Sequence, residues 1–248
     1  SIIGSGVIGA GWAARFLLHG WDVSLYDPDP NTPRKLANVL DNARNSFPKL
    51  YPNELPEEGK LTLSTSLSCA VSEASWIQES VPERLPIKFK TLSAIQNSCD
   101  PNAIICSSTS GFTPSELNNG LAKPEQILVA HPYNPVYLLP IVELVPSRSV
   151  SEDLIQRAEG LLEDISMKPI TIRSEIPAHV GDRLMEALWR EALWLIKDGV
   201  ASTEQIDEII THGFGLRWAQ MGLFETFRIA GGESGMEHFL NQLIYQNF

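Results

Sequence analysis

A glycine pattern at the start of the chain constrains the fold more than any other feature. Residues 1–9 read SIIGSGVIG, so the spacing G-x-G-x-x-G follows directly on a short apolar segment. Apolar residues at helical spacing come next, and the alternating segment WDVSLYD then ends at Asp27. A short strand, a glycine turn, a helix and a second strand together predict a parallel βαβ unit.

Each glycine of this turn has a mechanical reason. Gly4 permits the tight turn, Gly6 lets the backbone approach a pyrophosphate, and Gly9 lets the helix pack close to the strand. Asp27 stands where an acid hydrogen-bonds both ribose hydroxyls and repels a 2′-phosphate, which favours NAD over NADP. A glycine-rich turn without a ligand is the alternative. The cofactor-binding residues predicted in this unit are Gly4, Gly6, Val7, Ile8, Gly9 and Asp27.

Two kinds of pattern divide the chain. Strand-like stretches occur at 60–66, 74–83, 103–110, 126–132 and 169–173, with helical stretches at 86–98 and 151–165. Helices between parallel strands imply an α/β fold with a doubly wound, mostly parallel Rossmann-type sheet. Only helical patterns follow, at 178–199, 202–213, 218–229 and 233–246. We therefore predict an NAD-binding domain over 1–174 and an all-α domain over 175–248.

Composition and charge exclude several classes of partner. The formal net charge of -11 argues against nucleic acid and against anionic membranes. No apolar run approaches the roughly 20 residues of a membrane helix. The first residues of the sequence do not show the basic region followed by an apolar core that would predict a secretory signal. The 3 cysteines lack metal-ligand spacing and indicate reduced thiols in the cytoplasm, with no metal site. The first strand is short, so we expect the chain to be a fragment.

The apolar stretch HPYNPVYLLPIVE (131–143) begins with a histidine and ends with a glutamate. A buried histidine and a buried carboxylate each cost free energy unless they find partners. On a strand–turn–strand path, His131 and Glu143 lie at the ends of neighbouring segments and can meet. A carboxylate fixes the tautomer of an imidazole and raises its basicity, which suits a general base. Beside a nicotinamide, such a base predicts alcohol oxidation; a core histidine without chemistry is the alternative.

The sequence resembles the 3-hydroxyacyl-CoA dehydrogenase family over essentially its whole length. The matching segments are SSTSG (107–111), HPYNP (131–135) and PIVEL (140–144). The resemblance implies that Ser110 contacts the substrate oxygen and that His131 is the base oriented by Glu143. It also implies that Asn134 helps to place the substrate and the nicotinamide.

Two further features follow from the same resemblance. The segment IQESVPE (77–83) resembles the strand and loop that line the cofactor in the family. Glu79 and Ser80 are therefore expected NAD contacts. The family also has a helical C-terminal dimerisation domain, so we expect a homodimer.

One position departs from the family pattern. An Asn usually precedes the Arg at the start of the long helix, and Asp182 stands there in this chain. On a helix, Asp182, Glu186 and Trp189 share one face. Two carboxylates and an indole suit a quaternary ammonium group, through charge and cation–π contact. The segments EALWREALWL, GLRWAQMG and AGGESGMEHF resemble family members that act on L-carnitine. We therefore expect a small cationic 3-hydroxy acid as substrate.

Other interpretations of these residues stay open. Trp189 and Trp194 also suit a core or a dimer interface, and Asp182 could pair with a nearby arginine. A 3-hydroxyacyl-CoA or L-gulonate is an alternative substrate, although CoA would favour basic residues along a groove. A non-catalytic protein on this scaffold, like the lens crystallins of the family, is the alternative outside enzymes. His179 and His212 lack such a context, and we expect them to be structural or exposed.

Overall fold

The protein is described by a computed structural model that covers residues 1–51 and 55–245. It divides into two compact units, Ser1–Arg183 and a second unit from Leu184 onward. The predicted domain boundary lies between 174 and 175, where the sequence pattern changes. The first unit extends further because it includes the first residues of the long helix.

A mixed sheet forms the centre of the first unit. Its strands are β1 (Ile2–Ile3), β2 (Val23–Tyr26), β3 (Leu61–Leu63), β4 (Trp76–Glu79), β5 (Ile104–Ser107), β6 (Ile127–Pro132), β7 (Ile141–Pro146) and β8 (Lys168–Thr171). The 8-stranded order is β3-β2-β1-β4-β5-β6-β7-β8. Neighbouring strands are parallel except for β6 and β7, which are antiparallel. This confirms the predicted doubly wound, mostly parallel sheet.

Helices of the first unit pack on both faces of the sheet. They are α1 (Val7–Leu18), α2 (Thr32–Leu50), α3 (Leu67–Val71), α4 (Leu85–Gln96), α5 (Pro114–Asn118) and α6 (Glu152–Asp164). Alternate strand residues contribute to two separate cores, because successive side chains of a strand point to opposite faces. One core includes α1, α2 and α6, and the other includes α3, α4 and α5.

The local sequence explains why two of these helices form. In α1, Trp12, Ala13 and Leu17 are fully buried against the sheet, so burial rather than capping stabilises the helix. In α6, the Ser151 side chain accepts a hydrogen bond from Leu154 N, which satisfies a free N–H of the first turn. The predicted strands and helices of 1–174 are confirmed, with ends shifted by a few residues.

The regular elements of the described residues from 181 to 245 are all helices. They are α7 (Gly181–Lys197), which begins in the first unit, and α8 (Thr203–Ile209), α9 (Gly215–Trp218), α10 (Leu223–Ala230) and α11 (Gly235–Tyr245). Gly199 has a φ of 69°, as expected for the glycine that ends α7. The predicted capping box of Ser202 and Gln205 is present. The predicted helix 202–213 instead continues beyond Ile209 as a π-helical segment, and residue 246 of the last predicted helix lies outside the described residues.

Two features are absent from residues 1–51 and 55–245. No helix there has both the length and the apolar character needed to cross a membrane. No group of three or more His, Cys, Asp or Glu side chains in the same residues is arranged to hold a metal ion. The thiols of Cys69, Cys99 and Cys106 are free, and burial raises the pKa of Cys106 well above its ordinary value.

Candidate active site

The glycine turn after β1 has the shape that a dinucleotide pyrophosphate needs. A Cβ atom at Gly4 would lie 2.6 Å from Ser80 O, and one at Gly9 would lie 1.9 Å from Gly4 O, so both positions require glycine. At Gly6 a Cβ would contact no described atom within 4 Å. Gly6 therefore borders open space at the N-terminus of α1, where free N–H groups and the helix dipole favour phosphate.

Asp27 follows β2 and lies beside the glycine turn. Its Oδ2 atom accepts hydrogen bonds from Ser5 N at 2.6 Å and Ser5 Oγ at 2.8 Å. Its Oδ1 atom accepts one from Asp29 N at 2.8 Å. Since each carboxylate oxygen has two lone pairs, Oδ1 can also accept a ribose hydroxyl. NAD therefore fits this part of the structure: its pyrophosphate at Gly6 and the N-terminus of α1, and its ribose at Asp27.

Glu79 and Ser80, the other predicted cofactor contacts, differ in their environment. Ser80 lies against Gly4, and its hydroxyl shares a hydrogen bond with that of Ser108. Glu79 is fully buried, and its carboxylate accepts hydrogen bonds from Lys88 Nζ at 2.9 Å, Val81 N at 2.7 Å and Ser107 Oγ at 2.5 Å. These contacts favour a structural role for Glu79, which supports the loop after β4, over direct contact with the cofactor.

A buried lysine, which no sequence pattern indicated, links the loops that follow β4 and β5. Lys88 is 1% exposed, and its Nζ atom is also 3.2 Å from Glu83 Oε2. Glu83 Oε1 in turn accepts hydrogen bonds from Gly111 N and Thr109 Oγ1. Burial raises the pKa of Glu83, but the bond from Thr109, the charge of Lys88 and the bond from Gly111 outweigh it and lower the pKa. This network holds the loop that carries Ser110.

Ser110 and Asn134 lie in the loops after β5 and β6, and both are exposed. The Asn134–Pro135 peptide bond is cis. Because β5 and β6 are parallel neighbours, their carboxyl ends meet at one edge of the sheet, where ligands of such sheets bind. His131 lies next to the end of β6 at the same edge. The predicted contacts of Ser110 and Asn134 with substrate stay predictions.

His131 and Glu143 meet as opposite residues of the antiparallel pair β6 and β7. His131 Nδ1 lies 3.0 Å from Glu143 Oε2, and both residues are buried. Because an ionised carboxylate only accepts hydrogen bonds, Nδ1 carries the proton and Nε2 presents its lone pair. The predicted meeting of these two side chains is confirmed.

The other oxygen of Glu143 is held by the start of α7. Glu143 Oε1 accepts hydrogen bonds from Val180 N and Gly181 N, both at 3.0 Å. Burial alone raises the pKa of Glu143, but the hydrogen bonds from His131, Gly181 and Val180 outweigh it and lower the pKa below its ordinary value. Glu143 is therefore ionised at neutral pH, which favours positive charge on His131 when Nε2 accepts a proton.

A second carboxylate faces the other nitrogen of His131. Asp182 Oδ2 lies 3.8 Å from His131 Nε2. Tyr133 fills the space beside them, since a Cβ atom at Gly181 would lie 1.2 Å from its hydroxyl oxygen. Burial and the charges of Glu143 and Asp182 raise the pKa of Tyr133 to about 12. Two carboxylates, those of Glu143 and Asp182, therefore lie beside the ring of His131.

Glu186 and Trp189 lie further along α7, in the second unit. Trp189 is 61% exposed and Trp194 is 51% exposed, so neither is a core residue of the chain. Lys197 Nζ lies 4.1 Å from the centroid of the Trp194 ring. Glu186 and Trp189 line a shallow pocket with Arg190, Leu193, Trp194 and Lys197. That Glu186 and Trp189 bind substrate together with Asp182 stays a prediction.

Two family matches cover nearly the whole chain. Residues 1–176 match the 3-hydroxyacyl-CoA dehydrogenase NAD binding domain. Residues 179–248 match the C-terminal domain of 3-hydroxyacyl-CoA dehydrogenase.

Curated relatives are similar over the same range. The L-carnitine dehydrogenase/betainyl-CoA thioesterase of Ruegeria pomeroyi is 59% identical over 98% of this chain and 50% of its own length. The L-carnitine dehydrogenase of Mesorhizobium japonicum is 53% identical over 97% of this chain and 66% of its own length. The L-carnitine dehydrogenase of Oceanobacillus iheyensis is 48% identical over 98% of this chain and 79% of its own length. The chain thus spans from half to about two thirds of the length of the first two relatives.

Solved structures share the fold. 5-Formyl-3-hydroxy-2-methylpyridine 4-carboxylic acid 5-dehydrogenase, an NAD⁺-dependent dismutase, has a TM-score of 0.91 at 27% identity, over 99% of this chain and 79% of that protein. The 3-hydroxyacyl-CoA dehydrogenase of Archaeoglobus fulgidus has a TM-score of 0.74 at 22% identity, over 92% of this chain and 73% of that protein. The second likeness speaks for the fold alone.

Proposed function

Because the chain belongs to the 3-hydroxyacyl-CoA dehydrogenase family, we propose that it oxidises L-carnitine to 3-dehydrocarnitine with NAD as hydride acceptor. The observation that carries the proposal is the pair of carboxylates around His131, one at each ring nitrogen. Glu143 makes the imidazole a base, and Asp182 brings a negative charge close to the nitrogen that takes the proton. The relatives named L-carnitine dehydrogenase support this substrate.

The residues of the chain divide the work of the reaction. NAD, when bound, supplies the acceptor for the hydride of the carbinol carbon. His131 Nε2 takes the hydroxyl proton as the carbon–oxygen double bond forms, and Glu143 stabilises the resulting imidazolium. Ser110 and Asn134 hold the substrate oxygen. The glycine turn, Asp27 and Ser80 hold the cofactor, with the acid selecting NAD over NADP.

The position of Asp182 favours L-carnitine among the candidate substrates. In carnitine a single carbon separates the ammonium nitrogen from the carbinol carbon, so an anion that pairs with it must lie close to the base. Asp182 meets that condition at 3.8 Å from His131 Nε2. Glu186 and Trp189 would complete the site with a second carboxylate and an aromatic face.

Three alternatives explain Asp182 less well. A 3-hydroxyacyl-CoA has no cation near its hydroxyl group, and L-gulonate carries a carboxylate without a cation that would pair with Asp182. A non-catalytic, crystallin-like protein would need neither the His131–Glu143 pair nor an open glycine turn. The experiments below distinguish the proposed reaction from these two substrates and from the non-catalytic role.

The first experiment follows the absorbance of NADH with NAD and three alcohols offered separately. We expect saturable reduction of NAD with L-carnitine and little with L-gulonate or the 3-hydroxy partner of acetoacetyl-CoA. Activity with one of those two alone would retain the base and reject the cationic substrate. Inactivity with all three would favour the non-catalytic role.

A variant separates the base from the scaffold. His131→Ala should lower kcat by orders of magnitude because it removes the nitrogen that takes the hydroxyl proton, while NAD affinity in calorimetry stays nearly unchanged. A parallel loss of NAD binding would reject the assigned role of His131.

We propose further that residues 1–174 bind NAD, that residues 175–248 contribute to substrate binding, and that two copies form a homodimer in the cytoplasm. Large apolar side chains of the second unit are exposed, with Phe224 at 79% and Leu216 at 61%. A second copy would cover such side chains. The free thiols fit a reducing compartment. A molar mass equal to that of one chain in sedimentation equilibrium would contradict the dimer.

A further inference from the structure

His179 is a buried histidine with contacts to two parts of the site. It is fully buried, and its Nε2 atom lies 3.0 Å from the carbonyl oxygen of Thr109, directly before Ser110. Its ring centroid is 5.2 Å from that of His131, within the range of aromatic pairs. One side chain thus contacts both the loop that carries Ser110 and the base itself.

The backbone at His179 is as unusual as its side chain. Ala178 and His179 have φ angles of 61° and 49°, in the left-handed region that non-glycine residues rarely adopt. This pair reverses the chain so that the next two N–H groups, of Val180 and Gly181, both donate to Glu143 Oε1. On the other side, Ala178 N donates to Gly111 O at 3.2 Å. The strained turn is therefore tied to the Ser110 loop and to Glu143 at once.

The hydrogen bond to Thr109 defines the protonation of His179. A carbonyl oxygen only accepts, so Nε2 carries the proton and Nδ1 is left as an acceptor in the neutral ring. Burial lowers the pKa of His179 most, and the charge of His131 adds to this, against the opposing effects of the Thr109 carbonyl, Glu143 and Asp182. A neutral His179 adds no positive charge beside His131 when that residue accepts its proton.

We propose that His179 is a positioning residue for proton transfer: its bond to Thr109 holds the turn that orients Glu143 and, through Glu143, His131. The inference rests on the proposed dehydrogenase function for its kinetic test only. It predicts that the donor at Nε2 matters, more than the volume or aromaticity of the ring.

Two substitutions separate these properties. His179→Phe keeps a ring of similar size against His131 but removes the donor to Thr109. His179→Gln removes the ring but can place an amide N–H near the position of Nε2. His212→Phe is the matched control, since His212 is exposed and bonds only within its own helical segment among the described contacts.

The kinetic readout is the effect on kcat. For His179→Phe we expect kcat to fall by about 10- to 100-fold, the loss seen when groups that orient catalytic histidines at metal sites are removed. NAD affinity should stay within a few-fold, and His179→Gln should recover most of the activity. An unchanged kcat in His179→Phe, or equal losses in both variants, would overturn the proposal.

A second readout needs no substrate. The Nδ1 proton of His131, bonded to Glu143, should give a downfield proton NMR resonance in the intact protein. We expect this resonance to shift or broaden in His179→Phe and to persist in His179→Gln and His212→Phe. Its persistence in His179→Phe would overturn the proposal even if L-carnitine proves not to be the substrate, whereas inactivity of the unmodified protein would reject only the proposed function.

Discussion

At the scale of single residues, Asp182 is the carboxylate on whose charge the proposed substrate depends. Glu143 is compensated whenever His131 carries a proton, and two backbone N–H groups stabilise its charge further. Asp182 has no such compensation in the contacts described, apart from the 3.8 Å approach to His131. On the proposed function, the charge of Asp182 would therefore stabilise a substrate cation or raise the free-energy cost of binding an anionic substrate.

Replacing Asp182 tests this charge directly. Asp182→Asn keeps the size of the side chain and restores the residue type usual in the family, so the fold should be unaffected. We expect the KM for L-carnitine to rise about tenfold or more, equivalent to about 1.4 kcal/mol or more of lost binding, with a smaller effect on kcat. Steady-state kinetics on the purified variant measures both.

A matched control fixes the interpretation of that change. Asp198→Asn removes the same charge from an exposed position after α7, so its KM should stay near that of the unmodified protein. Equal KM values for all three proteins would show that Asp182 takes no part in substrate binding.

At the scale of elements, glycines decide how closely α1 approaches its neighbours. Gly9 packs against the carbonyl of Gly4, and a Cβ atom at Gly11 would lie 2.9 Å from the side chain of Val136. Val136 belongs to the loop after β6, which also carries Asn134. Helix α1 thus packs against both the glycine turn and the loop that carries Asn134, and a larger residue at Gly9 or Gly11 would separate them.

Two glycine substitutions test this packing. Gly9→Ala would place its methyl group 1.9 Å from Gly4 O, so we expect a loss of about 1–3 kcal/mol in the free energy of unfolding and weaker NAD binding. Gly160→Ala is the control, because Gly160 lies inside α6 with no described atom within 4 Å of its Cβ position. It should stabilise the protein by about 0.5–1 kcal/mol. Urea unfolding and calorimetry with NAD measure both, and a neutral Gly9→Ala would contradict the packing argument.

The sequence predicted the parts of the site that depend on local patterns. The glycine turn has its own spacing, and His131 and Glu143 share one strand–turn–strand path. Arg15 had no such signal: it is fully buried in α1 and donates hydrogen bonds to the carbonyls of Val136 and Leu139, more than a hundred residues away. His179 is a similar case, because tertiary packing brings it to Thr109 and His131 from distant parts of the chain. Lys88 lies close in sequence to its partners Glu79 and Glu83, but no periodicity marked that pairing as buried.

At the scale of the whole molecule, the half-buried His19 and the buried His179 should make folding sensitive to acid. His19 Nδ1 donates to Arg15 O at 2.8 Å, so it carries a proton there, while Nε2 is buried without a partner among the described residues. Burial lowers the pKa of His19 most, the nearby charge of Arg15 lowers it further, and the bond to the Arg15 carbonyl opposes both. His179 also has a pKa below the ordinary 6.5, again chiefly through burial. Both rings are therefore neutral in the folded protein at neutral pH.

This sets the direction of the pH dependence. Below about pH 6.5 the unfolded chain binds protons at both positions more readily than the folded chain. The contribution of the two neutral histidines to the free energy of unfolding should therefore be complete above that pH. It should decrease as the pH falls towards the lowered pKa values, by at most about 1.4 kcal/mol per pH unit for each histidine. The lowered pKa values of Glu143 and Glu83 extend the loss below their ordinary 4.5.

Urea unfolding of the intact protein at several pH values between about 8 and 5 measures this slope. A His19→Gln variant, and independently the His179→Gln variant, should each show a shallower decrease, because the unfolded chain then has one fewer proton to gain. The exposed His212 supplies the reference, since His212→Gln should leave the slope unchanged. If the slope is the same with and without His19 and His179, their burial does not control the acid sensitivity between about pH 8 and 5.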